Sequence, residues 1–117
     1  MALDAIGIVS RDLNKSADFY RYLGVDLKAV GGDTHYEGST PSGIRIMLDL
    51  CTEVKPHGSG VVLCFLQTSP KLVDETFAKI TKAGFKSVKE PWDAFWGQRY
   101  ASVLDPDGNQ IDLFAAL

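Results

Sequence analysis

The segment Asp105-Pro106-Asp107-Gly108-Asn109-Gln110-Ile111-Asp112-Leu113-Phe114 is a turn that runs into a strand. Pro106 and Gly108 punctuate the chain, and Asp105 and Asp107 are of the type that stabilises such a turn, so both acids are expected to be structural. From Gln110 onward, apolar Ile111 and Leu113 alternate with Gln110, Asp112 and Phe114, the period of a strand with two different faces. An earlier segment has the same design. Pro41-Ser42-Gly43 turns into Ile44-Arg45-Ile46-Met47-Leu48-Asp49-Leu50, with Ile44, Ile46, Leu48 and Leu50 on one face and Arg45, Met47 and Asp49 on the other.

The two segments close two similar halves. In the first, Asp4 to Ser10 alternates as a strand. A helix then starts at Asn14 as N-cap, carries Ala17, Tyr20 and Leu23 on its inner face with Phe19 on the flank, and stops at Gly24. Val25 to Val30 and Thr34 to Ser39 read as short strands before the one ending at Leu50. In the second half, Val61 to Gln67 is a strand, and Ser69 caps a helix with Pro70 at its first position. That helix carries Leu72, Val73, Phe77 and Ile80 and ends at Gly84. Phe85 to Lys89, Gln98 to Leu104 and Gln110 to Ala115 supply three more strands.

Tyr22-Leu23-Gly24-Val25 aligns with Lys82-Ala83-Gly84-Phe85, and the two Pro-x-Gly turns align with each other. Asp49 lies six residues after its turn glycine and Asp112 four after its own, an even difference that keeps both acids on equivalent faces. The fold class is therefore α+β, two tandem βαβββ modules within one domain, 1–117. Module one spans 1–52, a Pro/Gly/Ser-rich connector 53–60, and module two 61–117.

At 117 residues, 45% of them hydrophobic, the chain suits one domain and is too short for two ordinary ones. A net charge of -3, with the Lys and Arg scattered, gives no footprint for nucleic acid or an anionic membrane. No apolar run approaches the ~20 residues of a membrane span. The start of the chain has no charged segment followed by an apolar one, and only Cys51 and Cys64 occur, so a cytoplasmic protein with reduced thiols is expected.

Trp92, Phe95 and Trp96 fall within five residues of an expected loop, a density that points to a surface role as a lid stacking on a planar ligand, the alternative being a hydrophobic plug on the sheet edge or a dimer contact. Asp49 and Asp112 each lie between apolar residues, where core packing has no use for an acid. Arg45 and Arg99 suit either an anion clamp or structural ion pairs. His35 and Glu37 stand two apart on one strand and share a face. Cys64 reads as a small hydrophobe, and His57 has no evident partner. No nucleophile triad and no phosphate-loop spacing is legible.

Three segments in this order, Asp4-Ala5-Ile6-Gly7-Ile8-Val9, Asp12 to Tyr20 with Leu23-Gly24-Val25, and Asp105 to Leu113, make the whole chain similar to the vicinal oxygen chelate superfamily. That superfamily includes glyoxalase I, extradiol dioxygenases and bleomycin-resistance proteins. The resemblance implies an open, cup-shaped mixed sheet with helices on its convex face and ligand on its concave face, and a homodimer. It also implies a divalent metal held by the first and last strands of each module, at positions that fall here on Ala5, Asp49, Val62 and Asp112. Ala and Val cannot ligate, and two carboxylates make a weak site.

The expectation is thus a cofactor-free protein binding a small planar or aromatic molecule through Arg45, Met47, Asp49, Trp92, Phe95, Trp96, Asp112 and Phe114. The alternative is a glyoxalase-like lyase or isomerase. It would use a divalent metal ion on His35, Glu37, Asp49 and Asp112, or a cup carboxylate as base.

Overall fold

Asp12, not Asn14, starts the first helix, α1 (Leu13–Arg21), because the Asp12 carboxylate accepts the Lys15 amide at 3.1 Å. Asn14 sits inside the first turn, and its side-chain oxygen accepts the Tyr36 hydroxyl instead. The buried stripe takes in Leu13, Ser16, Ala17, Phe19 and Tyr20. Phe19 is completely buried and meets Tyr20 edge to face at 5.1 Å, so the stripe is wider than the expected one that left Phe19 on the flank. Gly24 ends the helix at φ +83°, a conformation that glycine adopts without strain.

The computed structural model describes residues 4–52 and 61–117, which form two compact units; the expected connector 53–60, with His57, lies outside the described residues. In the first unit α1 follows β1 (Ala5–Ser10) and precedes β2 (Lys28–Ala29), β3 (His35–Ser39) and β4 (Arg45–Leu50). The sheet order is β1-β4-β3-β2, with β1 parallel to β4 and the remaining pairs antiparallel. The strand expected over 25–30 shrinks to two residues, since Val25 and Leu27 are used as core side chains ahead of it. Ile8, Ile46 and Leu48 are buried, while Gly7, Val9, Arg45 and Asp49 stand exposed on the other face. Ser10 and Ser16 share a buried hydrogen bond of 2.6 Å that ties β1 to α1.

The second unit repeats the order: β5 (Val62–Leu66), α2 (Pro70–Lys82), β6 (Ser87–Ala94), β7 (Gln98–Leu104) and β8 (Gln110–Ala116). Its sheet runs β5-β8-β7-β6. Ser69 caps α2 by accepting the Leu72 amide at 3.3 Å, with Pro70 in the first turn. Val73 and Ile80 of the helix, and Ala101, Val103, Ile111 and Leu113 of the sheet, are fully buried. Each of the larger of these contributes about 1.5–3 kcal/mol by leaving water. Leu72, expected in the core, is 36% exposed.

The aromatic segment is not the loop expected from sequence. β6 runs on to Ala94, so Trp92 is a strand residue, and only Phe95, Trp96 and Gly97 form the turn into β7. Pro91 is tolerated there because β6 is an edge strand whose pairing with β7 slips between Lys89 and Trp92. Asp105 closes the β7–β8 turn: its Oδ1 accepts the Asp107 and Asn109 amides at 2.9 and 2.8 Å, and its Oδ2 accepts Asn109 Nδ2 at 2.8 Å. This is the structural use expected of Asp105.

Candidate functional site

Helix caps and turn glycines provide a common frame for the two modules. Ala5 and Val62 each lie seven residues before an N-cap, 12 minus 5 and 69 minus 62. Each also opens the parallel pairing with the closing strand, Ala5 opposite Arg45 and Val62 opposite Gln110. In that frame Met47 corresponds to Asp112, and Asp49 corresponds to Phe114. The two acids do lie on equivalent faces of their own modules, as expected, yet they stand one side-chain pair apart in the common frame. Carried over by register, the last-strand metal position of module one falls on Met47 and not on Asp49.

In module one the exposed face carries a chain of alternating charges. Arg45 Nη2 donates to Asp4 Oδ2 at 2.9 Å and its Nη1 to Glu37 Oε1 at 3.3 Å. His35 Nε2 lies 2.7 Å from Glu37 Oε2, and His35 Nδ1 lies 2.5 Å from Asp49 Oδ1. Direct pairing of His35 with Asp49 across β3 and β4 sets this geometry. Both ring nitrogens face a carboxylate, so only the imidazolium can donate to both. The hydrogen bond to Asp49, then that to Glu37, raises the His35 pKa above its ordinary 6.5. Met47 lies across Gly7, where a side chain would come within 3.8 Å of its terminal methyl.

In module two the corresponding face is aromatic around one acid. Asp112 is 7% exposed and accepts three hydrogen bonds from its own sheet. Tyr100 Oη donates to Oδ2 at 2.6 Å, while Ser102 Oγ and Gln110 Nε2 donate to Oδ1 at 2.7 and 3.0 Å. Burial, and then the bond to Asp112, holds the Tyr100 hydroxyl proton well above the usual phenol range. Trp96 is the hub of the rings, meeting Phe95, Trp92 and Tyr100 edge to face at 4.9, 5.4 and 5.3 Å. Tyr100 in turn stacks with Phe114 at 6.1 Å. Trp96 Nε1 donates to Gln98 at 2.8 Å, and Lys89 Nζ sits 5.0 Å over the Trp92 ring. Phe95 is 91% exposed and Trp96 48%.

Of the residues singled out by sequence, Arg45, Met47 and Asp49 gather on the module-one face with His35 and Glu37. Trp92, Phe95, Trp96, Asp112 and Phe114 gather in module two. Arg99 is on the helix side, in a two-pronged ion pair with Asp74 at 2.8 and 3.1 Å and a further contact to Asp93. Tyr100, Ser102 and Lys89 were not singled out. The first two were within reach, since a hairpin closing Leu104 against Gln110 places Ser102 opposite Asp112 and Tyr100 opposite Phe114. Lys89 was not, because the pairing slips there put it over Trp92.

The residues present do not fit the family's metal. Ala5 and Val62 offer no donor atom, Met47 replaces an acid, and both oxygens of Asp112 already accept protein hydrogen bonds. Of the alternative set of His35, Glu37, Asp49 and Asp112, the two module-one carboxylates sit at opposite nitrogens of the His35 ring and do not converge on a point, and Asp112 is engaged by Tyr100, Ser102 and Gln110. Among the described residues no group of three or more His, Cys, Asp or Glu is arranged to hold an ion. No helix among them is long and apolar enough to cross a membrane.

Several solved structures superpose over essentially the whole chain. A glyoxalase/bleomycin resistance protein/dioxygenase family enzyme from Burkholderia phytofirmans matches with a TM-score of 0.84 at 20% identity, covering 100% of both chains. A genomically encoded fosfomycin resistance protein from Listeria monocytogenes matches at 0.81 and 19%, covering 100% of this chain and 94% of its own. A bleomycin resistance determinant encoded on transposon Tn5 matches at 0.71 and 18%, covering 99% and 98%. No curated protein matches. Residues 2–113 match the family model of the Glyoxalase/Bleomycin resistance protein/Dioxygenase superfamily. With that match over nearly all of its length and the βαβββ repeat in both halves, the chain belongs to the glyoxalase/bleomycin resistance protein/dioxygenase superfamily.

Proposed function

We propose that the protein binds a planar small molecule on the aromatic face of module two and does so without a metal ion. The observation that carries this reading is the ring cluster around Trp96. Aromatic rings that touch one another, with Phe95 and Trp96 exposed and Trp92, Tyr100 and Phe114 half-buried beside a single buried, hydrogen-bonded acid, make a stacking surface with a polar anchor, whereas a core would bury them all. Ala5, Met47 and Val62 support the metal-free part. Binding is the output, with Arg45, Met47 and Asp49 of module one as further candidate contacts.

A homodimer goes with this reading. β5 is an edge strand whose Val62 and Leu66 are 43% and 71% exposed, apolar surface that a second copy would cover. Light scattering at micromolar concentration tests it, and a mass of 12.8 kDa would refute it. The two thiols are free, which supports a cytoplasmic location.

The binding reading is tested by a thermal-shift screen of planar aromatic metabolites. A true ligand at 100 times its dissociation constant adds ~2.7 kcal/mol of stability. The Trp92→Ala, Trp96→Ala double variant loses the shift while keeping its far-ultraviolet circular dichroism. A shift that survives this double replacement would overturn the site.

A further inference from the structure

We infer that the ligand of the module-two face is a planar aromatic cation bearing N–H donors, received by the Tyr100–Asp112 pair and the neighbouring rings. This inference rests on the stacking reading above and adds the charge class of the ligand. The first argument is a proton count. A phenol and an alcohol each have one hydroxyl proton, and both Tyr100 and Ser102 spend theirs on Asp112. Tyr100 therefore has only lone pairs left to offer, shared between the neighbouring Cys64 thiol and an incoming molecule. A ligand carboxylate or carbonyl would have to pull the Tyr100 proton away from Asp112, leaving a 7% exposed carboxylate one donor short. A ligand N–H meets an acceptor already backed by a negative charge, which strengthens the bond.

The rings supply the second argument. Their faces carry negative potential, and the chain already lays an ammonium on one of them, Lys89 Nζ over Trp92. Lys89 marks a place where a cation is welcome and competes with a ligand for it. Compensating arginines are committed elsewhere. Arg99 is held on the helix side by Asp74 and Asp93, and in module one Arg45 is shared between Asp4 and Glu37.

Three ligands of one shape test the inference at pH 7.5 by calorimetry: 4-aminoquinoline as the cation, 4-methylquinoline as the neutral analogue and quinoline-4-carboxylate as the anion. The cation is expected to bind about tenfold more tightly than the neutral ring, and the anion most weakly. Tyr100→Phe and Asp112→Asn are expected to bring cation and neutral ligand to within about threefold of each other, and Lys89→Met to tighten the cation. If Asp112→Asn does not fold, Tyr100→Phe carries the comparison. Equal affinities for all three ligands, an anion that binds best, or a cation preference unchanged in Tyr100→Phe would overturn the charge class and leave stacking intact. If none of the three binds the native protein while the metabolite screen also stays silent, the stacking reading itself fails.

Discussion

His35 lies opposite Asp49 across β3 and β4 with its Nδ1 2.5 Å from the Asp49 carboxylate, while its other ring nitrogen faces Glu37 at 2.7 Å. A neutral imidazole can donate to only one of them, so this contact is a proton-dependent cross-strand link.

The sign of its pH dependence follows. With a folded pKa raised above 6.5, His35 contributes stability that is fully present below pH 6.5 and is lost as pH rises through the folded pKa. Glu37 runs the other way: the His35 bond holds its pKa below 4.5, so its contribution is present above pH 4.5 and lost as pH falls through the folded value. NMR titration of the ring in a His57→Gln background is expected to give a His35 pKa above 6.5, moving back toward it in 1 M salt, where surface pairs are screened. A value at or below 6.5 in low salt would refute the pair of hydrogen bonds from the ring to Asp49 and Glu37.

Gly38 is the tightest backbone approach in module one. A Cβ there would stand 2.5 Å from the Asp26 carbonyl oxygen, a backbone atom that cannot swing away. Gly38→Ala is expected to cost about 1–3 kcal/mol in urea unfolding, the usual penalty of overpacking. The neighbouring Ser39→Ala, at an exposed position, stays within about 0.5 kcal/mol. Equal effects would mean that the segment carrying Asp26 can move aside.

Asp105 holds the β7–β8 turn through three acceptor contacts while 4% exposed. Asp105→Ala orphans two backbone amides and the Asn109 side chain, for an expected loss of about 1–3 kcal/mol. Asp105→Asn keeps the oxygen that serves both amides, so its loss is smaller. A calorimetric Tm series ordered native, Asn, Ala is the expected result.

Metal removal is expected to change nothing. Protein purified without chelator should carry well under one equivalent of zinc, nickel, iron or manganese, and EDTA should leave its Tm unmoved. A stoichiometric ion that survives gel filtration would overturn the metal-free reading.

The sequence by itself determined the repeat. Alternation of Ile46, Leu48, Ile111 and Leu113 fixed which face of each closing strand is buried, and Gly24, Gly84, Ser69 and Pro70 fixed where the helices begin or end, because these are local preferences of period, φ and capping. Tertiary structure decided the level of each residue along its strand. Asp49 and Asp112 read as counterparts because a shared face has period two, but only strand pairing sets Asp49 level with Val9 and Asp112 level with Cys64. Pairing also gave Asp112 its Tyr100 and Ser102 donors and His35 its Asp49 carboxylate, and a slipped edge laid Lys89 over Trp92. Those contacts join residues distant in sequence or across an irregular register, and no local period encodes them.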